Sequence, residues 1–346
     1  MPMHRAHRNN LKNLRLIACC FAFPPPHLQS SRQPCKKGSP NMPKISNHFS
    51  GREDFTGSSS EAIHTAPIVK LHRSVRPETL GLSSFSATRV EVSSETMNHL
   101  RNATDVLLKT KRLLPFGAGN QKADIVHSQG ESAARVAMLL DRNPRPMAPI
   151  IGSKQVALYQ GGKCRQHADV GYTLLSGQKI DAPVLMVNDQ HQDHGYCLIG
   201  DPRDPRWGET DTVVVDAWPG YPVASTLSQS TNRQPEFPAH YQRAPGAMPL
   251  QAAQSALHDV SPVEKSAVNA FLHGKEWPAV GHGLLKYLSE NRHSLNLRDE
   301  ALAVQDPSTV YYSHNEPAGQ TMDDMAAETI EKQTRGRAGL NRFDGT

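Results

Sequence analysis

Cys164 stands in the run GGKCRQHADVGYTLLSG, behind a glycine pair and at the start of an apolar spacing: Cys164, Ala168, Gly171, Tyr172 and Leu175. That spacing predicts a helix with the cysteine in its first turn and Gly177 past its end. Unpaired backbone N–H groups and the positive end of the helix dipole stabilise a thiolate there. A nearby imidazolium can bring such a thiol from about pKa 8.5 toward about 4 to 7. The glycines let a substrate backbone approach, so Gly162 and Lys163 are expected to offer N–H groups to an oxyanion.

Two partners for that thiol follow in chain order. His194 opens the apolar run HGYCLIG, and Asp216 ends the run TVVVD. Both runs read as strands, and APVLMV before the polar turn NDQHQD reads as a third, antiparallel to HGYCLIG. A helix carrying the cysteine, packed on strands carrying an imidazole and a carboxylate, supplies a nucleophile, a base and a group to orient the base. His191, in the polar turn, is a rival base. His167, one turn below Cys164, is expected on a helix face. Cys197 alternates with Tyr196 and Leu198 and is expected to be structural. Trp218 and Tyr221 are candidates for an apolar wall, and Trp218 for substrate contact. A reading from another class takes Asp189, His191, Asp193 and His194 as ligands of a metal-dependent hydrolase, since zinc accepts carboxylates and imidazoles. No second ligand cluster follows, and Cys164 would have no role, so no metal and no other cofactor are expected. A third reading is a noncatalytic module that binds a host protein.

The order of Cys164 in GGKCRQHA, His194 in DHGYCLIG and Asp216 in VVVDAWPGYP resembles the transglutaminase-like branch of the papain superfamily. Within it, the chain is similar to the AvrPphE (HopX, XopE) family of bacterial type III secreted effectors, from about Ser94 to the C-terminus. The resemblance implies an α+β fold: a transglutaminase-like or papain-like core in which the Cys164 helix packs on a small antiparallel sheet, with added helices. It implies a Cys164–His194–Asp216 triad with protease, transglutaminase or deamidase chemistry. It also implies secretion into a plant host cell and action on a host protein in immune or hormone signalling, and leaves room for a host cofactor and a bacterial secretion chaperone. Several XopE members carry Gly after the initiator Met for myristoylation. Pro2 and Pro43 follow Met1 and Met42 here, so membrane anchoring by that route is not expected.

The rest of the chain must position this site. The 346 residues allow one substantial domain with tails. Seven Lys and Arg precede residue 42 and the first acidic residue is Glu53, so the positive charge sits at the N-terminus. With aromatics at 6%, a nucleic-acid surface on the folded part is not expected. Five cysteines, Cys19, Cys20, Cys35, Cys164 and Cys197, form no regular framework, which excludes a disulfide scaffold. The apolar run from Leu14 to Phe23 is interrupted by Arg15, too weak for an export signal, and Met42 is an alternative start.

Residues 1–93, rich in Ser, Thr, Pro and Gly, are expected to be a disordered secretion region. Residues 94–150 are expected to form a helical segment of two packing helices, with Met97, Leu100, Val106, Leu107, Leu113 and Leu114 on the first, and Val136, Leu139 and Leu140 on the second. The catalytic domain is expected over 151–320, with a polar lid or insertion at QSTNRQPEFPAHYQRAPGAMP. Helices follow at PLQAAQSALHD, at SPVEKSAVNAFLHG with a capping box at Ser261 and Glu264, and at HGLLKYLSEN. Residues 321–346 are expected to hold one more helix, DDMAAETIEKQ, and a loose basic tail.

Overall fold

The strand sequences VLMVND and HGYCLI lack polar alternation because both faces are covered. Every residue of β3 (Val184–Asp189) and β4 (His194–Ile199) is buried. The computed structural model describes residues 66–189, 192–232 and 239–344. Within them, ten strands run in chain order: β1 (Ile68–Lys70), β2 (Arg89–Glu91), β3, β4, β5 (Val213–Val215), β6 (Ser225–Thr226), β7 (Ala239–Arg243), β8 (Val310–Ser313), β9 (Glu316–Thr321) and β10 (Asp324–Ala326). The central sheet has the order β6-β5-β4-β3-β7. β3 and β4 pair antiparallel from Val184 opposite Ile199 to Asp189 opposite His194, and β5 lies antiparallel to β4 with Cys197 opposite Val215.

The period of two sorts this sheet into two faces. Val184, Met186, Cys197, Ile199, Val213 and Val215 share one core with Leu100, Ala168, Tyr172 and Leu175, so helices cover that face. Leu185, Val187, Tyr196, Leu198, Val214 and Leu227 pack together on the other.

The main helices are α1 (Ser94–Leu113), α2 (Lys122–His127), α3 (Glu131–Arg142), α4 (Pro149–Tyr159), α5 (Cys164–Ser176), α6 (Lys265–Gly274), α7 (His282–Glu290), α8 (Ala327–Ala338) and α9 (Leu340–Asp344). α1 begins where Ser93 Oγ accepts from Thr96 N at 3.0 Å, an N-cap. Its buried Met97, Leu100, Ala103, Val106 and Leu107 follow helical spacing into the sheet core. The second expected helix is two, α2 and α3, because Gln129 and Gly130 take left-handed φ values of 53° and 89°. A Cβ on Gly130 would meet Leu284 Cγ at 2.8 Å, so glycine also allows that turn to sit on α7. Val268, Leu272, Leu284 and Leu288 join Met138, Leu139, Val156 and Val170 in a second, helical core.

Several sequence expectations are corrected. Residues 66–93 are not disordered: β1 pairs with β10, β2 pairs in parallel with β8, and Leu71, Val75 and Leu80 are buried. Their partners lie more than 200 residues away, which local composition cannot reveal; residues 1–65 lie outside the described residues. No boundary separates 94–150 from 151–320, since α1 and the central sheet share one core. The segment after 320 is integral, with Met322 in that core, β10 pairing with β1, and 334–344 helical rather than a tail. α6 starts after Glu264, not at Ser261, and part of the expected lid is β7, one of the sheet's two outer strands; residues 233–238 lie outside the described residues.

Leu175 is fully buried where α5 meets the sheet. Leu175→Ala is expected to lower unfolding free energy in urea by about 2 to 5 kcal/mol. A loss under about 1 kcal/mol would show that the α5–sheet contact is not a packed core.

Candidate active site

Cys164 is the first residue of α5, and what precedes it is held by pairing with a second loop. Gly119 N donates to Gly162 O at 3.0 Å, and Gly162 N to Gly117 O at 3.3 Å, a short parallel bridge between Ala118 and Gly162. Of the glycine pair, Gly162 is required sterically and Gly161 is tightly placed. A Cβ on Gly162 would lie 2.5 Å from Gln166 Cβ, and one on Gly161 would lie 3.3 Å from Gly117 O. Gln166 Oε1 accepts from Lys163 N at 2.9 Å, capping the helix. The expectation that Gly162 and Lys163 offer their N–H groups to an oxyanion is therefore corrected, because both are used internally.

His194 and Asp216 form a buried pair, Nε2 to Oδ2 at 2.6 Å. Asp216 also accepts from Asn232 Nδ2 at 2.9 Å on Oδ2, and from Trp218 N at 3.1 Å on Oδ1. Burial disfavours the imidazolium of His194, yet the charge and hydrogen bond of Asp216 outweigh it, and its pKa is raised above 6.5. Burial likewise pushes the Asp216 carboxyl up, but the imidazolium and three hydrogen bonds hold it below 3.8.

Cys164 meets this pair at the start of β4. Its Sγ donates to Asp193 O at 3.7 Å, where Asp193 takes a left-handed φ of 50°. The next strand residue but one, Gly195, sits so near α5 that a Cβ would touch Arg165 Cα at 3.5 Å. Trp218 packs with Cys164 and Ala118, and its ring centroid lies 4.8 Å from that of His194. Tyr196 stacks on the imidazole from another side at 5.6 Å. With Nε2 committed to Asp216, Nδ1 is the ring nitrogen that can take a proton from a thiol. The sequence-chosen Cys164, His194, Asp216 and Trp218 thus come together.

Others do not join them. His167 is buried and neutral: burial, then the charge of Lys111, press its pKa down to about 3, and its Nδ1 donates to Lys163 O at 2.9 Å. Burial pushes the Cys197 thiol up, and its Sγ donates to Ala168 O. Tyr221 packs apart from the site, with Val223 and Met325. Asp189 Oδ1 accepts from Gln192 N at 3.1 Å, shaping the turn, while His191 lies outside the described residues. Among the described residues, no group of three His, Cys, Asp or Glu side chains could hold a metal ion.

Three residues near the site escaped the sequence. Asn232 holds Asp216 from a polar loop with no distinguishing signal. Glu300 is pushed up to about 7 by burial and by Asp216. Asn120, in the glycine-containing run FGAGN, accepts from Trp218 Nε1 at 3.0 Å. Comparison with family models, with characterised proteins and with solved structures returns no match to this chain.

A raised His194 and a lowered Asp216 fix the sign of their pH linkage. The His194 contribution is complete below its unfolded value and lost as pH rises through its folded one. The Asp216 contribution is complete above its unfolded value and lost as pH falls through its folded one. The destabilisation by Asp216→Asn in urea is therefore expected to be largest between about pH 4 and 6.5 and to shrink on either side. A difference independent of pH would show that the pair carries no charge.

Proposed function

We propose that this chain is a thiol acyl-transfer enzyme in which Cys164 is the nucleophile, His194 its base and Asp216 the group that orients the imidazole. The observation that carries the reading is the buried 2.6 Å His194–Asp216 contact beside the helix terminus that bears Cys164. In this reading Asp216 fixes the proton on Nε2, so Nδ1 removes the thiol proton and the thiolate attacks an amide carbonyl. The amine leaves with a proton from His194, and a thioester remains on Cys164. Water then completes proteolysis or deamidation; an amine completes transamidation. Which follows depends on what excludes water and binds the second substrate.

The Cys-helix-on-sheet arrangement agrees with a transglutaminase-like core. The resemblance to the AvrPphE, HopX and XopE effectors extends the proposal to a type III secreted protein that modifies a host protein inside a plant cell. No described helix is long and apolar enough to cross a membrane.

The pH dependence of iodoacetamide alkylation, read residue by residue by mass spectrometry, tests the nucleophile. Cys164 is expected to label rapidly well below pH 8, the range of an unperturbed thiol, to lose that reactivity in His194→Ala, and to leave Cys197 unlabelled. An ordinary thiol profile for Cys164, unchanged by His194→Ala, would overturn the reading.

A further inference from the structure

An ammonium drawn out of water normally sits against a carboxylate, because desolvating it without a counter-charge is costly. Lys111, half-buried in the last turn of α1, does not. Its Nζ donates to Pro219 O at 2.8 Å, and among the described residues it forms no ion pair. Burial presses its pKa down, against the opposing pull of Asp124 and Asp216. An ammonium carries three donors, so two are unspent.

Lys111 lines a cavity of about 180 Å³ between the end of α1, α2 and α8. A cavity of about 150 Å³ is enough to hold benzene, so there is room for a ring-sized body. Leu114, Pro115 and Phe116 form the apolar part of the lining, and Arg135 lies over the Phe116 ring at 3.9 Å. The polar part includes Lys111, Asp124, His127 and Lys332.

These charged groups differ in what they have left to offer. Lys332 Nζ is already paired with Glu328, and His127 is neutral near pH 7, because burial and then Lys332 press its pKa below 6.5. Arg335 and Glu331, which also act on His127, pair with each other. Asp124 has both oxygens engaged, Oδ2 by Ala118 N at 2.7 Å and Oδ1 by Gln333 Nε2. What remains is one uncompensated positive charge beside an apolar wall.

We propose that this cavity binds a small organic monoanion, a carboxylate with an apolar body, whose oxygens accept from Lys111 Nζ. A dianion such as a phosphate monoester would bring a second negative charge toward Asp124 with no second free cation to meet it. The apolar lining selects an organic body over an inorganic ion. Binding here is independent of the Cys164 chemistry, yet the cavity is tied to that site at two points. Lys111 holds the carbonyl of the residue after Trp218, and Asp124 holds the loop that pairs with Gly162. The bound carboxylate and the Trp218 segment therefore share one ammonium.

Benzoate, benzamide and benzylamine share a ring and differ in charge, and their binding to the full chain is read by saturation-transfer NMR. Benzoate is expected to bind saturably and about tenfold or more tightly than benzamide, the worth of a charge-assisted hydrogen bond, with benzylamine weakest. The place of binding is read by acetic anhydride labelling and mass spectrometry: benzoate is expected to slow acetylation of Lys111 several-fold and to leave the exposed Lys286 unchanged. Lys111→Met removes the charge at similar length, and Thr329→Phe fills the cavity from α8 with Lys111 in place. Each is expected to abolish benzoate binding, and either suffices once its urea midpoint shows that it folds. Equal binding of benzoate and benzamide would overturn the assignment, because the apolar wall alone would then account for it. So would benzoate binding that survives in a folded variant, acetylation of Lys111 unaffected by benzoate, or no saturable benzoate binding at all.

Discussion

The contact between His194 Nε2 and Asp216 Oδ2 is the constraint around which the site is organised. A buried carboxylate is costly unless donors surround it, and Asp216 gathers three: the imidazole, the Asn232 amide and the Trp218 backbone. Each comes from a different part of the central region. His194 opens β4, Trp218 follows β5, and Asn232 lies beyond β6. The sheet order is therefore also the condition for the pair to exist. Antiparallel pairing of β4 and β5 brings the start of one strand beside the end of the other.

Cys164 meets the start of β4, at one end of the strands, rather than a face of the sheet. Tyr196 and Leu198 turn to the face opposite α5, while Cys197 and Ile199 turn toward it. His194 alternates with the first set, so its meeting with the helix terminus relies on the left-handed turn at Asp193 and the close seating of Gly195 on Arg165. Trp218 joins the parts, touching Cys164 on one side, His194 on another and Asn120 through its N–H. One aromatic residue thus packs against the thiol, walls the imidazole and orients a buried amide.

The outer elements hold this centre from a distance. β1 and β2, near the start of the described residues, pair with β10 and β8 near its end. Asp323, fully buried, accepts from His72 N at 2.9 Å and takes the His72 ring at 2.6 Å, tying those ends together. Through Gln333 and Asp124, α8 braces the loop that carries Asn120.

What the sequence by itself determined was local. The Cys164 helix and the first helix after Ser93 were legible because one-sided burial stamps a helical period on them, and the strands at 184–189, 194–199 and 213–215 because burial on both faces leaves short continuous apolar runs. That Cys164, His194 and Asp216 could be brought near one another was legible because each falls at or beside the end of such an element, where side chains converge. Asn120, Asn232 and Glu300 sit in loops without a period, and their contacts come from neighbours the fold supplies: Trp218, 98 positions on, for Asn120, and Asp216, which lies 16 positions before Asn232, for both Asn232 and Glu300. The order of residues 66–93 and of the C-terminus was hidden for the same reason: three-residue strands carry little pattern, and only pairing across the chain makes them strands. Tertiary structure alone decided where the polar groups of the Gly162 loop would go, because a hydrogen bond depends on which acceptor the fold brings within 3 Å, and sequence spacing does not encode that distance.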